Sequence, residues 1–194
     1  MSQAPVILAS TSPYRRAQLE RLHLAFETQA PACDETFEPG ERAPVLVERL
    51  ARAKARSVAA TRSAGLVIGS DQVAACGDRI LTKPGHHEPA REQLQAVSGR
   101  TVTFCTGLCL IDAASDREQG EYVDFAVDFR VLSDAEIERY LAAEQPYDCA
   151  GSIRSEGYAV VLFERMRGDD PTALIGLPLI RLRALLADFG LALP

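Results

Sequence analysis

The chain has 194 residues, 47% of them apolar and 25% charged, a globular composition that excludes disorder as the main state. No run approaches the ~18 apolar residues of a membrane span. The formal net charge of −6 disfavours a general DNA- or RNA-binding surface, although a local basic pocket stays open.

The length fits a single domain over residues 1–194. Residues 1–5 lack a basic start and residues 6–9 are too short for a signal peptide, so a cytoplasmic location is expected. Cys33, Cys76, Cys105, Cys109 and Cys149 form no CxxC and read as reduced, mostly buried thiols. Lys54 and Lys83 are the only lysines in a chain that otherwise uses arginine. A retained lysine raises the question of what a compact ammonium does there that a planar fork cannot.

In chain order, residues 6–9 predict a buried strand. Ser12 suits a helix N-cap and Pro13 the first helical position, for a helix running to about His23. A strand is expected at 26–30, then an acidic loop, Cys33-Asp34-Glu35-Thr36, broken by Pro39-Gly40. A long helix follows over 45–62 and a strand with a charge in its middle over 66–73. Thr82-Lys83-Pro84-Gly85 reads as loop, with His86 and His87 as solvated histidines in it, and 89–97 as helix stopped by Ser98-Gly99. Strands are expected at 101–110 and 122–131, joined by a polar turn over 112–120. Ser133 and Glu136 spell a capping box for a helix to about Ala143. A loop at 145–155, a strand at 158–163 and a last helix within 174–186 complete the chain. This alternation suggests an α/β fold with a mixed sheet.

Chemistry concentrates in three places. Arg15 and Arg16 stand in the first turn of a helix, where the macrodipole is already positive. They are either two solvated arginines or, with the serine hydroxyls and helix-start N–H groups, a polyphosphate site. Leu46, Leu50, Lys54 and Val58 are spaced by four, so Lys54 lies on the apolar stripe of its helix. It either snorkels from the core edge or aims a charge into a cleft. Asp71 lies near the end of a buried strand and must be paired, metal-bound or poised in a cleft. Glu35 could supply a second oxygen ligand, and hard cations such as Mg2+ or Mn2+ take carboxylates and phosphates together. Walker, GxGxxG, HExxH and GxSxG motifs are absent. Together the residues suggest metal-assisted polyphosphate chemistry without a covalent nucleophile.

The chain resembles the Maf family of nucleoside triphosphate pyrophosphatases. The resemblance rests on residues 7–16, Asp-Glu-Thr at 34–36, Arg-Ala-Lys-Ala at 52–55 and Ile-Gly-Ser-Asp-Gln at 68–72. Lys-Pro-Gly at 83–85, Ser-Gly at 98–99, residues 149–157 and Gly-Leu-Pro-Leu at 176–179 extend it. It implies an elongated two-lobed fold related to the inosine triphosphatases, with the active site in the cleft between lobes. It also implies hydrolysis of a nucleoside triphosphate to the monophosphate and diphosphate with a divalent metal. By that resemblance Ser10, Arg15, Arg16, Lys54 and Lys83 contact phosphate and Asp71 is the proton acceptor. Tyr14, Gln72 and Glu156 fall where branches differ. The dTTP and UTP branch usually has Arg, Thr and Gln there. The 7-methyl-GTP branch usually has Trp, Gln and Glu, so this chain resembles the second, with Tyr for Trp. An aromatic face attracts the cationic 7-methylguanine ring, and a carboxylate can accept from its N–H edge. The expected partner is thus the nucleotide rather than nucleic acid or membrane, and a homodimer is compatible with this reading. The alternatives are a dTTP or UTP pyrophosphatase of the same family, or a nucleotide-binding division regulator with little turnover.

Overall fold

The computed structural model describes residues 4–38 and 40–194; Pro39, read above as part of a loop break, lies outside them. The strands are β1 (Val6–Ala9), β2 (Phe26–Gln29), β3 (Leu66–Cys76), β4 (Arg79–Leu81), β5 (Thr101–Asp112), β6 (Arg117–Phe129) and β7 (Phe163–Arg167). The helices are α1 (Pro13–Glu20), α2 (Ala43–Ala59), α3 (His87–Val97), α4 (Asp134–Glu144) and α5 (Leu179–Asp188). Among the described residues the strands form one mixed sheet in the order β2-β1-β3-β5-β6-β7, with β4 paired to β3. The α/β class expected from the alternation is therefore observed. The chain divides into two compact units, and β3, β5 and β6 contribute residues to both.

The first unit comprises residues 1–71, 106–123 and 170–194. Here β1 pairs in parallel with β2 and β3, placing Leu8 beside Thr28 and Ile68. Strand alternation splits the apolar side chains between two faces. Val6, Leu8, Leu66, Ile68, Leu108 and Leu110 pack with Leu19 of α1 and Leu182, Leu185 and Leu186 of α5. Ile7, Ala9, Val67, Cys109 and Ile111 pack with Ala51, Ala55 and Val58 of α2. Helices on both faces explain why these strands read as apolar runs.

The second unit comprises residues 72–105 and 124–169. Here α3 packs against α4, and β7 pairs antiparallel with β6 through an irregularity at Asp128/Phe129. The capping box of α4 forms as its sequence predicts: Ser133 Oγ accepts from Glu136 N, and the Glu136 carboxylate accepts from Ser133 N.

Four expectations need correction. Residues 158–162 form a 3-10 helix, not a strand; the strand begins at Phe163. Glu144 accepts the Tyr158 N–H at 2.8 Å and Arg130 N donates to Leu162 O, which fixes the segment as a turn although it is apolar. The last helix, Leu179–Asp188, starts within the expected 174–186 but ends beyond it; a 3-10 turn over Pro171–Ile175, closed by Gly176 at φ 104, precedes it. β6 begins at Arg117, within the expected polar turn, since Glu118 pairs with Arg52 and Arg56, and Glu121 with Arg181. Finally, His87 opens α3 rather than sitting in a loop; its ring nitrogens face Tyr147 and Glu138.

Candidate active site

The first unit gathers several of the singled-out residues. Ser12 caps α1, its side chain accepting from Arg15 N, with Pro13 at the first helical position. The buried Ser10 accepts from Ser12 N at 3.1 Å. Two hydroxyls therefore already satisfy amides at the helix start. Arg15 and Arg16 then part. Arg16 is 63% exposed and donates to Glu20, one turn along the helix surface. The Arg15 side chain instead donates from Nε to Gly176 O at 2.9 Å. Burial pulls its pKa down, and the carboxylates of Asp71 and Glu35 act in the opposite direction.

Lys54 and Asp71 form the centre. Lys54 is only 6% exposed and Asp71 7%, and Lys54 Nζ donates to Asp71 Oδ1 at 2.7 Å. The same ammonium lies 2.7 Å from Glu35 Oε2, on a side chain 54% exposed. Lys54 thus does not snorkel to solvent; its charge meets two carboxylates. A buried Lys–Asp pair offsets two desolvation costs that neither group could bear alone. Cys33, half-buried, sits in the field of this cluster: burial raises its thiol pKa, and Glu35 adds to the rise.

Two glycines and a serine, given no role by the sequence reading, make this geometry. A Cβ on Gly69 would lie 2.2 Å from Ala51 O, and one on Gly107 2.0 Å from Val47 O. Their absence lets α2 lie directly on β3 and β5, which brings Lys54 down to Asp71. An isolated glycine inside an apolar strand is the signal that pointed to such an approach. Ser70, fully buried, places its hydroxyl 2.9 Å from Gly107 O and 2.8 Å from Gly176 O.

The family model described as Maf-like protein matches residues 5–189. The chain belongs to the Maf family. A "7-methyl-GTP pyrophosphatase" of Pseudomonas fluorescens (strain Pf0-1) is 53% identical to it, over 98% of this chain and 99% of the relative. One of Alkalilimnicola ehrlichii is 56% identical, over 92% of this chain and 89% of the relative. One of Ralstonia nicotianae is 53% identical, over 95% of each.

In this Maf-family chain the motif residues Ser10, Tyr14, Arg15, Arg16, Glu35, Lys54 and Asp71 belong to the first unit, and Gln72, Lys83 and Glu156 to the second. Gln72 follows Asp71 directly in β3. Lys83 is exposed, with no ion pair among the described residues. Glu156 is exposed and accepts from Ser155 Oγ at 2.9 Å. Tyr14 is half-buried on α1. Among the described residues no helix is long and apolar enough to cross a membrane.

Proposed function

We infer that this chain hydrolyses 7-methyl-GTP to 7-methyl-GMP and diphosphate. The observation that carries the reading is the shared name of relatives that are 53% and 56% identical across more than nine-tenths of this chain. The local chemistry supports it. Water adds to phosphorus, the α–β phosphoanhydride P–O bond breaks, and diphosphate leaves. Lys54 holds Asp71 Oδ1, so Asp71 Oδ2 is the atom assigned to receive the water proton. Arg15, with Ser10, Arg16 and Lys83, is assigned to phosphate oxygens, where fixed positive charge offsets the charge of the leaving group.

The donor chemistry also fits a divalent cation. Glu35 and Asp71 converge on one cationic point, now the Lys54 ammonium, and offer hard carboxylate oxygens of the type Mg2+ and Mn2+ prefer. These two residues would hold the ion, which when bound supplies charge neutralisation to phosphoryl oxygens. Tyr14, Gln72 and Glu156 are assigned to the base.

A turnover screen of 7-methyl-GTP, GTP, dTTP and UTP with Mg2+, with products separated by ion exchange, tests the reading. The expected result is highest kcat/KM on 7-methyl-GTP with diphosphate as co-product. Preference for UTP or dTTP would refute the base assignment, and release of single phosphate the bond assignment.

A further inference from the structure

The stretch Gly-Leu-Pro-Leu at 176–179 has so far no part in the chemistry. We propose that the Gly176 carbonyl orients the Arg15 guanidinium for phosphate, and that the buried carboxylate of Asp170 sets the position of that carbonyl. The proposal rests on the assignment of Arg15 to phosphate under the pyrophosphatase reading.

The Gly176 oxygen accepts Arg15 Nε at 2.9 Å and lies 2.8 Å from Ser70 Oγ. One atom therefore ties the helix that carries Arg15 to the strand that carries Asp71, the residue next to Ser70. Engaging Nε leaves both terminal nitrogens, Nη1 and Nη2. They make no ion pair among the described residues, although the carboxylates of Asp71 and Glu35 lie within electrostatic reach. A guanidinium edge with two parallel donors matches two oxygens of one phosphate. The carbonyl thus chooses which edge of the fork faces the anion.

Gly176 closes the 3-10 turn over Pro171–Ile175, with φ 104, and Asp170 holds both flanks of this segment. Its Oδ1 accepts from Thr172 N at 3.1 Å and Thr172 Oγ1 at 2.6 Å. Its Oδ2 accepts from Ile180 N at 2.8 Å and Arg181 N at 3.3 Å. Thr172 Oγ1 in turn accepts from Leu179 N at 2.6 Å. Asp170 is 1% exposed, a buried charge satisfied by these groups without a lysine or arginine side chain. A carboxylate in that position pins residues before and after Gly176 to one point, so the direction of the Gly176 carbonyl follows from it. Asp170 is accordingly a positioning residue that acts through Arg15.

A double-mutant cycle distinguishes positioning from mere support of the fold. Asp170→Asn is expected to lower kcat/KM for 7-methyl-GTP about tenfold in the wild-type background, and less than about twofold in Arg15→Lys, which retains charge but lacks the Nε donor and the fork. Values are taken per folded molecule, with folding checked by circular dichroism. Equal losses in the two backgrounds overturn the proposal. Should Asp170→Asn not fold, Thr172→Val replaces it in the cycle, and Thr172→Ser, which keeps the hydroxyl, is expected to recover the activity. Loss in Thr172→Ser equal to that in Thr172→Val overturns it. The same cycle read by calorimetric binding of inorganic tripolyphosphate needs no turnover. If the wild type hydrolyses no nucleoside triphosphate yet shows this coupling in tripolyphosphate binding, the pyrophosphatase reading falls and the orienting role stands. If the wild type binds no tripolyphosphate, or the affinity is unmoved by Asp170→Asn and Thr172→Val, the orienting role falls.

Discussion

Lys54 Nζ reaches Asp71 Oδ1 at 2.7 Å because Gly69, two residues before Asp71, carries no side chain between α2 and β3. The backbone of α2 at Ala51 and Ala55 occupies the space a Cβ would need. The distance between a charged pair is thus set by the absence of a methyl group.

Gly69→Ala should therefore push α2 off the sheet. Overpacking of this kind costs about 1–3 kcal/mol, and occasionally more. Urea denaturation should show a lower midpoint with an unchanged slope, and turnover per folded molecule should also fall as Lys54 moves away from Asp71. A wild-type midpoint would show that the helix can retreat without strain.

Asp71→Asn keeps the shape but removes the carboxylate proposed to accept the water proton. Loss of at least two orders of magnitude in kcat is expected, about 2.7 kcal/mol in the barrier. Near wild-type turnover would assign the proton to another group.

Lys54→Met leaves the buried Asp71 carboxylate without its partner. Breaking such a pair costs about 3–5 kcal/mol, visible as a lower thermal midpoint. Mg2+ should raise that midpoint more in the variant than in the wild type, since a cation can then stand between Glu35 and Asp71. Equal shifts in both proteins would argue against these two acids as ligands.

Base choice is tested through Tyr14 and Glu156. Tyr14→Arg should weaken 7-methyl-GTP against UTP by placing like charge near a cationic ring, and Tyr14→Trp should hold or improve it. Glu156→Gln should narrow the gap between the two substrates, since an amide both donates and accepts. Changes of roughly 5- to 150-fold in kcat/KM correspond to about 1–3 kcal/mol. An unaltered ratio in Tyr14→Arg would return Tyr14 to a packing role at the helix start.

The α4 capping box gives a pH prediction. Hydrogen bonds from the Ser133 backbone and hydroxyl, then from Arg130, pull the Glu136 carboxyl down to about 2. A carboxyl depressed on folding stabilises above its unfolded pKa, about 4.3, and loses that contribution as pH falls through its folded value. Wild type should therefore lose stability between about pH 4.3 and 2 more steeply than Glu136→Gln does. Parallel stability curves would show that the cap does not discriminate charge.

Local signals in the chain sufficed for the Ser12-Pro13 helix start, the Ser133–Glu136 box and the buried face of α2 that carries Lys54. Each depends on residues within a few positions of one another, where side-chain hydrogen bonding and helical period act directly. Local reading failed at residues 158–162, where apolar composition suggested a strand, but Glu144 and Arg130 claim the backbone groups of a turn. It also missed Asp170, although Asp-Pro-Thr is a helix-start pattern, because the turn it caps is short and is followed by a second start at Leu179.

By itself the sequence determined the fold class and, through its spaced motifs, the resemblance to the Maf family, and it suggested polyphosphate chemistry for the residues singled out. Tertiary structure alone decided that Lys54 faces Asp71 and Glu35 rather than solvent, that Arg16 turns outward to Glu20, and that Arg15 turns to Gly176. The bond between Arg15 and Gly176 spans 161 positions. Such contacts depend on how closely two backbones approach, which is governed by glycines at one crossing and a buried carboxylate at another. Periodicity along a chain records which face a residue occupies, but not the distance across the gap.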